Sequence, residues 1–327
     1  MEDTELDLQI STTTLGNTNE SGGKLGAVEG LGQAIFSKDR YTDTVLSNTL
    51  KVKDITKELI PEANFGVSVL ASVVNPYILK KNNIEPSSID YPYLVKYNMA
   101  FLKEKVHKGK EEGHTGLGLA MAVAQEYAYG FLQSHSDEEQ IDSTLRVASV
   151  MEDMVKIRTC IETVSIEDEI RKIREINRIL KDGGKSITWV IEPNKKIGDG
   201  TFTDFMNIYE NIKNDYQNKD LRFGIDLDMG GLPKEEYDHV FNIMDSMHGD
   251  YFPIYLSLSG KDYTDGTVRT HLPLGDDVEF NRKLGEYLVL RGIRGQKIPG
   301  LIVETNPTGN VEEDYKNFLR GLKRGFN

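Results

Sequence analysis

Four acidic residues lie at the ends of apolar, β-rich runs in the second half of the chain. Glu192 ends ITWVIEPN (187–194), Asp226 and Asp228 lie in FGIDLDMGG (223–231), and Glu304 ends GLIVETN (300–306). Short runs of this type predict buried strands. If these strands lie in one parallel sheet, their carboxyl ends share an edge, and the four acids meet at that edge.

Carboxylates that converge on one pocket repel each other and need an offsetting charge. Two unit charges about 4 Å apart interact by roughly 4 kcal/mol at an effective dielectric of about 20. A divalent cation, a nearby Lys or Arg, or a shared proton can offset this repulsion. Oxygen-rich sites suit Mg²⁺ or Mn²⁺, and a histidine ligand favours Zn²⁺, Co²⁺ or Mn²⁺. The alternative is that each acid simply caps the helix that follows it.

Strand and helix patterns alternate from residue 155 to the end and predict five βα units. The expected strands are 155–164, 186–194, 221–231, 252–260 and 300–306, and the expected helices are 165–180, 203–214, 233–249, 278–292 and 311–326. Upstream, 6–12 and 65–74 are typical of strands, and 47–52 is a weaker candidate. Eight strands close a (β/α)₈ barrel, so we predict one α/β TIM-barrel domain over residues 1–327. Residues 75–154 would form a helical insertion between its third and fourth strands; an open doubly wound sheet is the alternative.

Composition narrows the class of function. The net charge of −13 makes the chain a poor partner for nucleic acid. A single cysteine excludes an internal disulfide and a zinc site made of cysteines. No apolar run approaches the roughly 20 residues that cross a bilayer, and the acidic start lacks a signal-peptide pattern. We therefore expect a cytoplasmic protein that does not bind membranes.

The stretch RTHLPLGDD (269–277) places Arg269 and His271 before a Pro-Leu-Gly turn. Arg269 suits a substrate carboxylate or phosphate, with an ordinary surface charge as the alternative. His114, within the long connection, either lies over the site or is a solvated loop residue.

Four stretches together resemble the xylose-isomerase-like TIM barrels, a group of sugar isomerases and epimerases, inosose dehydratases and zinc endonucleases that cut at abasic sites. They are WVIEPN (189–194), GIDLDMGG (224–231), HLPLGDD (271–277) and LIVETN (301–306), in the family's order. The resemblance covers about the last 140 residues. It implies that Glu192 and Glu304 are metal ligands and an acid–base pair, and that Asp226 or Asp228 is a further ligand. It also implies that His271 contacts the substrate.

The chain departs from this family at its histidines. Met229 or Gly231 stands where the family has a histidine after the sixth-strand aspartate, and Tyr255 and Ser257 stand where the seventh strand supplies a histidine ligand. The metal site is therefore degenerate, and the small number of histidines together with the negative charge argues against the DNA-repair branch.

We expect a metal-dependent sugar or polyol isomerase, epimerase or lyase that abstracts a proton alpha to a carbonyl. Mn, Mg, Co or Zn would be its metal, a small carbohydrate its substrate, and His271, Arg269 and Ser257 its substrate contacts. The alternative is a barrel that has lost its metal and serves as a ligand-binding or non-catalytic partner subunit. Related barrels often form dimers or tetramers, so a homo-oligomer stays an open alternative.

Overall fold

The computed structural model describes residues 8–13, 51–68, 145, 154–159, 166–186, 188–193, 222–229, 237–246, 254–262, 269–303 and 311–326. The strands among them are β1 (Gln9–Thr13), β2 (Asn64–Ser68), β3 (Met154–Thr159), β4 (Thr188–Pro193), β5 (Arg222–Asp228), β6 (Tyr255–Leu258), β7 (Gly260–Asp262), β8 (Arg269–Leu272) and β9 (Gly300–Val303). The helices are α1 (51–59), α2 (Ile166–Asp182), α3 (Tyr237–Ser246), α4 (Val278–Ile293) and α5 (Val311–Arg324).

Seven of these strands form one sheet in the order β2-β1-β9-β6-β5-β4-β3, and every ladder in it is parallel. Consecutive βα units therefore lie side by side from β3 to β9, as the alternating pattern predicts. The helices expected at 165–180, 278–292 and 311–326 are confirmed. The one expected at 233–249 is shorter, as α3, and the one expected at 203–214 lies outside the described residues.

The strand predicted at 47–52 is wrong over its last two residues, which begin the described part of α1. Val52, Ile55 and Thr56 are buried at helical spacing on this helix, and that periodicity outweighs the short β-rich pattern before it. The strand within 65–74 is β2, and it pairs directly with β1. It therefore takes the second place in the sheet, where we had expected the third.

The expected insertion, 75–154, lies outside the described residues except for Leu145 and Met154. Met154 begins β3 rather than ending a helix. The described ladders leave β2 and β3 at the two ends of the sheet. Closure of the predicted (β/α)₈ barrel therefore stays a prediction.

The two faces of the sheet differ in polarity. We call the face that carries the buried cluster of Val190, Tyr255 and Ile302 the Tyr255 face. The opposite face, which we call the Leu256 face, is uniformly apolar at its described side chains; these include Ile10, Phe65, Trp189, Leu227, Leu256 and Leu301. Both faces are buried, as is usual for a parallel sheet.

Two of the helices end in the same way. Gly184 and Gly295 have φ angles of 76° and 63°, which glycine adopts without steric cost. The next N–H donates to the carbonyl five residues back: Lys185 N to Leu180 O at 2.8 Å, and Gln296 N to Arg291 O at 2.9 Å. These are Schellman motifs, and the first confirms that Gly183 and Gly184 end α2. No helix in the described part of the chain is long and apolar enough to cross a membrane.

Helices α4 and α5 approach each other closely through glycines. A Cβ on Gly285 would collide with the carbonyl oxygen of Leu322, and one on Gly325 would collide with the carbonyl oxygen of Arg282. A Cβ on Gly321 would lie 2.8 Å from the Cβ of Asn281. The backbones themselves are therefore in contact, and any side chain at these positions forces the helices apart.

We expect Gly285→Ala to lower the free energy of unfolding by about 1–3 kcal/mol, because the added methyl overpacks the helix contact. Urea denaturation followed by circular dichroism measures the change. Gly183→Ala is the matched control, since a Cβ there would have the Leu180 carbonyl oxygen at 3.3 Å as its nearest neighbour. Equal midpoints for the wild type and Gly285→Ala would contradict this account of the packing.

Candidate functional site

The carboxyl ends of β4, β5 and β6 bring three of the predicted acids into adjacent register. Asp226 pairs with Tyr255, and Asp228 pairs with Ser257. Glu192 and Asp226 each follow directly on the paired Ile191 and Ile225. Adjacent strands in a sheet lie roughly 4.8 Å apart, so these backbone positions are close neighbours at one edge.

The register also places these acids on one face. Positions along a strand alternate between faces, so position 192 falls on the same face as Val190, and position 257 on the same face as Tyr255. Positions 226 and 228, paired with 255 and 257, share that face. The predicted acids of β4 and β5 therefore occupy the Tyr255 face, and not the apolar Leu256 face.

The fourth acid, Glu304, follows the paired Val303 of β9 and lies outside the described residues. Among the side chains that the structure describes, no three of the His, Cys, Asp and Glu residues come together as a metal site. The side chains of Glu192, Asp226 and Asp228 are not among those described, so their roles as ligands stay predictions. His114 and Cys160 also lie outside the described residues.

Two buried serines lie at the carboxyl end of β6. Ser257 is 1% exposed and lies within the strand. Ser259, one residue beyond the strand, is 7% exposed. Within the described chain, its Oγ has no hydrogen-bond partner.

A two-stranded antiparallel ribbon follows β6 after this single serine. Strands β7 and β8 pair with Gly260 opposite Leu272 and Asp262 opposite Arg269. Arg269 and His271 both belong to β8; the sequence had suggested a loop before the turn. Because the ribbon starts at the carboxyl end of β6, it lies at the edge where the acids are.

The Pro-Leu-Gly turn after β8 is held by a carboxylate from α5. Asp314 accepts hydrogen bonds from the backbone N–H of Gly275 at 2.6 Å and of Leu274 at 3.3 Å. The Leu274 carbonyl in turn accepts from Nδ2 of the buried Asn281 at 2.8 Å. A Cβ on Gly275 would lie 2.7 Å from Asp314 Oδ1, so only glycine fits. Gly275 of the HLPLG stretch is therefore required by its close packing against Asp314, which the sequence pattern alone does not reveal.

Two cationic positions that the sequence analysis did not single out share the face of the acids. Arg158 pairs with Glu192, and Lys156 pairs with Val190, in the ladder between β3 and β4. The signal was present in VKIRT, where charged residues alternate with apolar ones at the strand period. Their positions relative to Glu192 follow from the register between β3 and β4, which the sequence does not specify.

Comparison with known proteins gives little further information. No protein-family model matches the chain, and no curated protein matches it significantly. Among solved structures, it is similar to a xylose isomerase-like TIM barrel protein from Mycobacterium smegmatis in complex with magnesium, at 11% identity over 100% of both chains and a TM-score of 0.45. It is also similar to CbXyn10B in native form, at 11% identity over 77% of this chain and 81% of that chain, with a TM-score of 0.39. Similarities this distant carry no argument, so the fold described above rests on strand order and register.

Burial raises the pKa of Asp314; the hydrogen bonds from Gly275 and Leu274 oppose the rise, and the charge of Asp276 adds to it. Between the ordinary and the raised pKa, the folded chain keeps a proton that the unfolded chain has released. The Asp314 carboxyl group therefore favours the folded state more as pH falls through that window, and less as pH rises out of it.

We expect Asp314→Asn to remove this pH dependence. The wild type should therefore gain unfolding free energy relative to the variant as pH falls. Urea denaturation across the acidic range measures it. Glu312→Gln, which removes an exposed carboxylate from the same helical turn, should keep the wild-type slope. If the stability of Asp314→Asn parallels that of the wild type at every pH, folding does not raise the pKa of Asp314.

Proposed function

We propose that this chain is a metal-dependent sugar or polyol isomerase, epimerase or lyase built on a single TIM-barrel domain. The observation that carries the proposal is the shared register of positions 192, 226, 228 and 257 on the Tyr255 face, at the carboxyl ends of neighbouring parallel strands. In barrels of this architecture, chemistry takes place at that edge.

The residues present fit a divalent cation through their donor chemistry. Glu192, Asp226 or Asp228, and Glu304 would supply carboxylate oxygens, which suit Mg²⁺ or Mn²⁺. Ser257 is a much weaker ligand than the imidazole of the family, so Co²⁺ and Zn²⁺ lose the donor that favours them. A cation held there would polarise the carbonyl group of a bound sugar.

The protein's own groups would then move the proton. Glu192 and Glu304 are assigned as the acid–base pair: one removes the proton from the carbon next to the carbonyl, and the other returns a proton to the resulting enediolate. His271 and Arg269, on the ribbon at this edge, are assigned as contacts to the substrate.

We expect Glu304→Gln to abolish proton exchange, because an amide neither takes up nor releases the proton. The step is assayed directly by incubating the protein with D-xylose, D-fructose or scyllo-inosose in deuterated water. NMR then follows the replacement of hydrogen by deuterium at the carbon next to the carbonyl. The loss should be about 10²–10⁴-fold. Glu313→Gln, an exposed carboxylate of α5, is the control that should retain exchange. A Glu304→Gln variant that stays active would show the assignment to be wrong.

We also expect the purified protein to carry Mn, Mg, Co or Zn in stoichiometric amount by elemental analysis. Chelation should lower the melting temperature, and adding Mn²⁺ back should restore it, because a ligand that binds only the folded state stabilises it. Metal-free protein with an unchanged melting temperature in Mn²⁺ would instead favour the second candidate.

That second candidate is a barrel without metal that binds a ligand or serves as a non-catalytic partner subunit. The pairing of Arg158 with Glu192 favours it, because a guanidinium one strand away is another way to offset the charge of a carboxylate. The burial of Ser257 where the family has a histidine ligand favours it as well.

A further inference from the structure

We infer that the Ser259 hydroxyl is a substrate-binding group that hydrogen-bonds a hydroxyl of a sugar or polyol at the carboxyl edge of β6. The class of ligand rests on the proposed function. The assignment of the residue rests on its burial, on its lack of a partner in the described chain, and on its place at the carboxyl end of β6.

Ser259 is buried without satisfying its hydroxyl. Its side chain is 7% exposed, and its Oγ finds no partner in the described chain. A buried polar group left unpaired costs about 1–3 kcal/mol, and native structures contain few such groups. Ser257, two residues earlier, has an interaction of its own, so burial of a serine at this end of β6 does not by itself leave the hydroxyl unpaired.

The position of Ser259 follows from its neighbours. It directly follows Leu258, the last residue of β6, and precedes Gly260, the first residue of the ribbon. A Cβ on Gly260 would collide with the carbonyl oxygen of Pro273, in the turn that α5 holds, so the chain beside Ser259 is packed against this turn. Ser259 therefore lies at the carboxyl edge of the sheet, where β6 passes into the ribbon.

Position 259 also adjoins the end of the ladder between β6 and β9. Leu258 pairs with Val303, and Ser259 directly follows Leu258. A sugar or polyol bound at this carboxyl edge would present hydroxyl groups to Ser259. A serine hydroxyl both donates and accepts a hydrogen bond, which matches the hydroxyl of such a ligand.

The test measures binding separately from turnover. D-xylose, D-fructose and myo-inositol are titrated by calorimetry into the wild type and into Ser259→Ala, each also in the Glu304→Gln background. We expect Ser259→Ala to weaken the probe that binds by about tenfold, the equivalent of one hydrogen bond. Its unfolding midpoint should be equal to or above that of the wild type, because the methyl group leaves no buried hydroxyl unpaired.

Ser257→Ala is the matched control for stability, because Ser257 is buried and, unlike Ser259, has an interaction within the chain; we expect this variant to lower the midpoint. Equal affinity of the wild type and Ser259→Ala would overturn the inference, and so would a wild type that binds none of the three probes. A tenfold loss of binding without any proton exchange in the wild type would keep Ser259 as a binding group while refuting the proposed reaction.

Discussion

The parallel direction of every ladder in the seven-stranded sheet is the constraint on which the site depends. Parallel strands must end at the same edge, so residues that lie far apart in the sequence arrive there together. The pairing of β6 with both β5 and β9 brings Asp228, Ser257 and Ile302 into one register row. A shift of one residue in either ladder would send a candidate group to the apolar Leu256 face. The strand register therefore decides which residues face the candidate site.

Contacts outside the sheet protect that register at the end of the chain. Asp314 fixes the turn after β8, and the glycine contacts fix α5 against α4, so the ribbon and the last βα unit form one packed assembly. Thr56 of α1 hydrogen-bonds the buried Tyr315 of α5 at 2.9 Å. Helices from the first and the last parts of the chain thereby meet, as neighbouring β1 and β9 require.

The sequence was informative where the periodicity was long and undisturbed. The pattern of α2 and the glycines after it predicted that helix and its end. Apolar runs that end on acids located β4, β5 and β9, and one that ends on serines located β6. The strand predicted at 47–52 is wrong at residues 51 and 52, because a short β-rich run can also lead into a helix. The sequence could not anticipate the link from Asp314 to Gly275 or the pairing of Arg158 with Glu192, since both join segments that only the folded chain brings together. The unpaired Ser259 hydroxyl is likewise a property of packing and leaves no trace in composition.

The charge balance on the Tyr255 face decides how the two candidate functions relate to each other. Arg291 is buried, but it lies among the helices, bound to Asp245 at 2.9 Å and to the Lys297 carbonyl at 2.8 Å, so it does not serve the sheet. Positions 156 and 158 contribute two cations from β3, one strand away from Glu192. They are farther from β5, where Asp226 and Asp228 lie, and Coulomb attraction weakens with that distance. The positions of the two cations therefore lie nearer to position 192 than to positions 226 and 228. A metal ion of the kind proposed above would offset the charge of the aspartates, which these cations reach less well, so a cationic partner for Glu192 and a bound metal ion are compatible proposals.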